Sequence, residues 1–311
     1  FSSYCHGVLG QTYVNVDWSN SSGLPDPQIP WTSSQSYGGE FLYVVGNTQV
    51  PNQGLDVLVT KYDTKGQVVW QQTYNQSDSA DDYGVDLIVD AWGNVIVCAA
   101  SLSDPNGTSD YIILKYSAAG SLEWEYTYDG LGEGEDYPSS LTLDGQGDIY
   151  VTGTSQGNGT NFDYATLKLD TDGTHIWTKR YDRSGLSDVA VKIVYWAEGE
   201  RLLVTGGSGE TTNDWDYVTL SYKTNGTLDE EGITDNPGIG FDKPADMAIA
   251  SDGSIYITGA AAQNGSDYDI HTIKLDTSFQ LVWERSYGSS SGQDSLPICR
   301  GLCESPLGRS F

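Results

Sequence analysis

DYPSSLTLDGQGDIYVTG, residues 136–153, followed after a polar loop by DYATLKLDTDGTHIWTKRY, residues 163–181, is the stretch from which the rest of the chain can be read. The same pattern recurs along most of the sequence, and self-similarity at a fixed period is the first property to establish. Asp56, Asp110, Asp163, Asp216 and Asp269 each open an alternating run, at steps of 54, 53, 53 and 53 residues. A second anchor is a turn glycine before a tryptophan, in Gly66 with Trp70, Gly120 with Trp124 and Gly173 with Trp177. Tyr74, Tyr128 and Tyr181 follow those tryptophans at constant spacing. The fifth copy keeps Trp283 and Tyr287 but has Phe279 for the glycine, and the fourth keeps Gly226 but has Glu230 and Thr234 for the aromatics. A third anchor is Val44-Val45-Gly46, Val151-Thr152-Gly153, Val204-Thr205-Gly206 and Ile257-Thr258-Gly259.

Within 136–181 the pattern predicts four short strands, over 136–144, 148–154, 163–170 and 174–181. Each is rich in Val, Ile, Tyr and Thr and alternates in polarity. The separators DGQGD (144–148) and DTDG (170–173) carry turn chemistry. No helical period is found. Four strands in a repeat of this length make the blade of a β-propeller, because one such sheet cannot bury both faces alone and radial stacking covers them. The expected fold is therefore all-β, a single propeller of six four-stranded blades, with five as the alternative.

The pattern of an Asp, a Gly-Asn/Asp turn, a YVTG-like strand, DY.T.K and a W…Y pair resembles the SBBP-type β-propeller repeat of secreted and cell-surface proteins. The resemblance covers about 39–294. It implies the fold and brings no shared catalytic residues with it.

One domain over 1–311 is expected, with an irregular arm at 1–38, five repeats in 39–287 and a closing segment at 288–311. In the arm, Thr12–Trp18 alternates like a strand, while Pro25, Pro27 and Pro30 impose an extended or irregular course. Asp294 stands where a sixth repeat would begin. The expectation is a sixth blade joining the strand near Tyr13–Trp18 to the tail after Asp294, since an open ring leaves edges unpaired. Cys5 bridged to Cys299 or Cys303 would pin that closure in an oxidising compartment, with a Cys299–Cys303 pair as the alternative. Cys98 falls inside a strand and reads as a buried free thiol.

The formal charge is −28, from 43 acidic against 15 basic side chains. Such a chain is repelled by nucleic-acid phosphates and anionic headgroups, and no apolar run approaches the roughly 20 residues of a spanning helix. The start at Phe1 is compatible with a removed signal peptide. Six Asn-x-Ser/Thr sequons occur, at Asn20, Asn75, Asn106, Asn158, Asn225 and Asn264. Asn106, Asn158 and Asn264 share one loop position in three repeats, and Asn75 opens on the same face, so N-linked glycans on an extracellular or cell-surface protein are expected.

Candidate chemistry is sparse. Asp82, Asp136, Asp188, Asp242 and Asp294 open successive first strands. They read as turn caps, and a carboxylate ring for a structural Ca²⁺ is the lesser reading. DTDG (170–173) and DAWGN (90–94) are fragments of calcium loops without a full ligand set. His6, His175 and His271 sit by no nucleophile motif, and no HExxH or CxxC is present. The repeated Trp and Tyr residues read as packing, while Trp92 and Trp215 are partner contacts or loop anchors. The function expected is a non-catalytic structural or interaction module, in its stronger form a subunit of an extracellular filament or surface layer. Its partners would be other protein subunits, copies of itself included. A glycan- or ligand-binding propeller and a propeller hydrolase or lyase are the alternatives. No cofactor is expected.

Overall fold

The computed structural model describes residues 29–35, 39–50, 54–76, 80–102, 108–131, 134–157, 161–211, 214–235, 240–262 and 268–288. Every regular element among them is a strand, in five four-stranded antiparallel sheets covering 29–74, 82–128, 136–181, 188–234 and 243–287. In each sheet the strands lie side by side in chain order. The first strand of each later sheet crosses the first three strands of the sheet before it. This is a propeller-like arrangement of blades. Among the described residues the main packing between blades runs in order from the first to the fifth.

Blade three shows how the sequence specifies a blade. Its strands are Asp136–Leu143, Ile149–Gln156, Phe162–Leu169 and His175–Tyr181. Alternation sends Ile149, Val151, Leu167 and Leu169 into the core shared with blade two, and Tyr150 and Tyr164 into the core shared with blade four. A period of two thus gives the sheet two buried faces. At the turns, Oδ1 of Asp144 accepts the N–H groups of Gln146 and Asp148, and Oδ1 of Asp170 those of Asp172 and Thr174. Gly147 and Gly173 close these turns at φ 88° and 82°, where a Cβ would be strained. Each inner strand carries a bulge at an equivalent point, as at Ser139, which Pro30, Pro138 and Pro244 tolerate on this unpaired edge.

The repeated Lys, Trp and Gly positions form one clamp between blades. Trp70 Nε1 and Lys61 Nζ both donate to the carbonyl of Ala118 in the next blade, each at 3.1 Å. Trp124 and Lys115 converge on Thr171 O at 3.3 and 2.8 Å, and Trp177 and Lys168 on Thr224 O at 3.2 and 3.4 Å. The tryptophan ring lies flat against the turn glycine of that next blade. A Cβ on Gly120 would stand 2.8 Å from Trp70, and one on Gly173 2.7 Å from Trp124.

The fourth and fifth blades exchange parts of this clamp. Blade four has Ser221 and Glu230 in place of the Lys and Trp. The turn it would grip carries Phe279 instead of glycine, held at φ 57° and 8 % exposed. That ring fills the space from the opposite side, packing on Gly232, whose added Cβ would meet it at 3.0 Å.

The structure corrects the reading of the N-terminal arm. Within 1–38, where the prolines were expected to impose an extended or irregular course, Ile29–Gln35 is extended and forms the inner strand of blade one. Pro30 sits beside its bulge, where the missing N–H costs no ladder bond. The proposed strand near Tyr13–Trp18, Asp294 and Cys5, Cys299 and Cys303 lie outside the described residues. Cys98 is free and fully buried, and burial holds its thiol well above the usual value.

Two predictions follow from the packing. Trp124→Ala removes a half-buried ring and its inter-blade hydrogen bond and should cost about 2–4 kcal/mol in chemical denaturation, whereas Glu230→Ala, at the position without a clamp, should cost well under half of that. Cys98 should fail to react with a thiol reagent in native buffer and react fully in denaturant, so labelling under native conditions would contradict its placement.

Candidate functional site

The acidic residues of the repeat gather at one end of the blades. Asp82, Ser101 and Asp110 are cross-strand neighbours in blade two, as are Asp136, Ser155 and Asp163 in blade three and Asp188, Ser208 and Asp216 in blade four. The connections between blades cross the same end. They bring Asp110, Asp129 and Asp136 together at one junction and Asp163, Asp182 and Asp188 at the next, with one oxygen of each residue within 4.8 Å of the others.

Asp82, Asp136 and Asp188 are 0 % exposed. One oxygen of each caps the incoming connection, as expected from the sequence. Oδ2 accepts the N–H of Gln76 at 3.0 Å, of Gly130 at 2.6 Å and of Arg183 at 3.1 Å respectively. The other oxygen, Oδ1, makes no well-aligned hydrogen bond among the described residues in any of the three, although the hydroxyls of Ser101, Ser155 and Ser208 lie beside these carboxyls. Burial first, and neighbouring carboxylates after it, push all three carboxyls up to about 6. Asp242 differs, since its Oδ1 accepts the N–H of Ala262 at 2.9 Å. Asp294 lies outside the described residues.

Two arginines set the junctions apart. Arg180, on the outer strand of blade three, makes a 2.7 Å ion pair with Asp163 and donates to Ser155 O at 2.7 Å. It also reaches Ser155 Oγ and Tyr128 Oη. Arg183 pairs with Asp216 and, at 3.5 Å, with Glu210. Sequence reasoning passed over both. The available signal was a departure from the repeat, because Thr73, Thr127, Ile233 and Ser286 stand where Arg180 does.

The other candidate residues resolve simply. Asp90 and Asp170 of the DAWGN and DTDG turns spend their Oδ1 atoms on backbone N–H groups. His175 is exposed and bonded to Thr178, while His271 is buried against Ser286 and pushed down by burial. The blade-equivalent aromatics pack within the structure, as in Tyr111 with Tyr128 at 5.2 Å and Tyr164 with Tyr181 at 5.5 Å. Trp215 is a loop anchor, packed on Phe241 and bonded through its backbone to Gly240 and Asp242. Trp92 is 71 % exposed. Of the sequons, Asn225 is exposed in a turn on the face opposite the acidic rows, where its Oδ1 accepts the N–H of Thr227. Asn75 is half-buried at the junction of blades one and two. Asn20, Asn106, Asn158 and Asn264 lie outside the described residues.

The buried carboxyls give a pH dependence with a definite sign. Their native protons are held more tightly than in the unfolded chain, so their contribution is fully present below the ordinary carboxylate value and is lost as pH rises through about 6. In EDTA, the melting temperature should fall between pH 5 and pH 7.5. Asp136→Asn, neutral throughout, should show a smaller fall, and an equal one would refute this cause.

Comparison with known proteins bears on the fold. No curated protein matches the chain. An ACO/RPE65 chimera superposes at TM-score 0.50 with 9 % identity, over 86 % of this chain and 64 % of that one. A subtype N11 neuraminidase-like protein of A/flat-faced bat/Peru gives 0.49 and 14 %, over 87 % and 78 %. The extracellular domains of Drosophila Semaphorin 1b give 0.49 and 10 %, over 79 % and 52 %. The chain thus spans about half to two-thirds of the length of several structures it resembles. At such identities only the fold is shared. Within the chain, residues 127–162 match the family described as a β-propeller repeat, SBBP. They run from the end of blade two to the third strand of blade three.

Proposed function

We propose that this protein is a non-catalytic structural and interaction module that works outside the cell, with other protein subunits, copies of itself among them, as its partners. The observation that carries the reading is the last blade. Tyr43, Val45, Val57 and Val59 of blade one are buried against the next blade, and the equivalent sets of blades two to four are no more than 2 % exposed. In blade five the same four positions, Tyr256, Thr258, Ile270 and Thr272, are all half-exposed. Blade five also keeps Lys274 and Trp283, the two donors that elsewhere grip the following blade, the lysine lying over the Tyr256 ring and the tryptophan meeting it edge-on. It is equipped to hold a neighbour.

A sixth blade that joins the strand near Tyr13–Trp18 to the tail after Asp294 would be the occupant that closes the ring. Cys5 bridged to Cys299 or Cys303 would fasten the two segments. A segment docking between copies would use the same face and build an assembly, since head-to-tail contacts that do not close give fibres. Glycans on Asn20, Asn75, Asn106, Asn158, Asn225 and Asn264 would belong to an extracellular location and would decorate mainly the acidic face.

The test places a charge in the open face. Ile270→Asp in the full-length chain should lower the melting temperature by several degrees and change the mass measured by light scattering wherever the native protein is an assembly. A variant equal to the parent in both would show that nothing docks there. Non-reducing peptide mapping should find Cys5 joined to Cys299 or Cys303.

A further inference from the structure

The two acidic junctions are built alike but neutralised differently. At the junction of blades three and four, Asp163 is paired with Arg180, and the connection at Asp182 continues into Arg183. At the junction of blades two and three, the two equivalent positions are Thr127 and Gly130. Asp110 and Asp136 are buried there and Asp129 is exposed, so the group opens to solvent on one side.

Two further observations point to a ligand. Oδ1 of Asp136 is buried with no well-aligned donor, the Ser155 hydroxyl lying beside it, and it is directed at the connection itself. A Cβ built on Gly130, beside Asp129, would stand 2.6 Å from that oxygen and 2.9 Å from Oδ2. Ser155 Oγ stands closer still to that position, so only glycine lets the connection pass this near the carboxylate. Tyr111 adds a second polar group with no partner, its hydroxyl fully buried beneath the Tyr137–Pro138 backbone, next to Asp136. Arg180 approaches from the far side through Ser155, and its ion pair is with Asp163.

We propose that Asp110, Asp129 and Asp136 bind a hard divalent cation, Ca²⁺ by size, which fastens blade two to blade three. Three carboxylate oxygens within 4.8 Å of one another can surround an ion whose bonds to oxygen are about 2.3–2.6 Å. Water entering beside Asp129 completes the coordination, and Ca²⁺ accepts such irregular sets more readily than Mg²⁺, which demands a regular octahedron. With three carboxylates and solvent access, the affinity belongs in the weak range of extracellular modules, on the order of 0.1–1 mM.

The test uses the full-length protein stripped with EDTA. Millimolar CaCl₂ should raise the melting temperature more than MgCl₂ at equal ionic strength, which separates binding from general screening of the negative charge. Tb³⁺ should give emission sensitised by the nearby tyrosines and displaced by Ca²⁺. Asp129→Asn, an exposed change that leaves the fold intact, should weaken Ca²⁺ by ~10-fold or more, because fewer ligand charges lower affinity. Asp182→Asn, the equivalent change at the arginine-bearing junction, should leave it unchanged. Equal effects of Ca²⁺ and Mg²⁺, an Asp129→Asn variant that binds like the parent, or loss of binding in Asp182→Asn would each overturn the assignment.

Discussion

The first three blades each hold the next through a ring and two donors that close on a single carbonyl. The tryptophan supplies apolar area and an indole N–H, the lysine a charged donor, and the following blade a turn whose glycine lets the ring lie flat. The remainder of the junction is apolar and short in range, made of Val, Ile, Leu and Tyr meeting from two sheets. Such contacts are non-directional and do not by themselves set the angle between neighbours. The clamp lies at the outer end of each junction, where a small angular error moves a contact furthest. The angle between these neighbouring blades therefore depends on a few polar bonds at their outer edge.

The opposite face manages charge rather than shape. Its carboxylates are partly consumed by backbone N–H groups, which converts a repeated Asp into a splice between blades. One oxygen per splice is left over at three successive junctions. Burying such atoms is costly unless something meets them. The chain supplies arginine in one region and glycine in another, so units that are repeats in backbone are not repeats in electrostatics.

Much of the architecture was legible because a fold built by repetition writes the same constraint several times. Gly120 and Gly173 with Trp124 and Trp177 were visible as spacings. That a tryptophan touches the glycine of the following blade, rather than its own, was not visible, because period alone does not say which copy meets which. Glu230 and Phe279 looked like two separate losses and are one exchange, seen only when the strands are packed. The strand at Ile29–Gln35 was hidden by Pro30, whose cost disappears on an unpaired edge. The Asp caps were read correctly in kind. The orphaned oxygens and the part played by Arg180 could not be read, since both depend on distances across a junction.

The Phe279–Gly232 contact has a consequence for how the chain assembles itself. A string of near-copies risks wrong neighbours, as any wedge that fits one partner fits several. Here one joint is keyed in reverse. A blade bearing Phe279 cannot accept a tryptophan from above, and a blade ending in Glu230 offers none. That pair recognises only itself, and it gives an otherwise monotonous polymer a fixed point from which the order of all the other wedges can be counted.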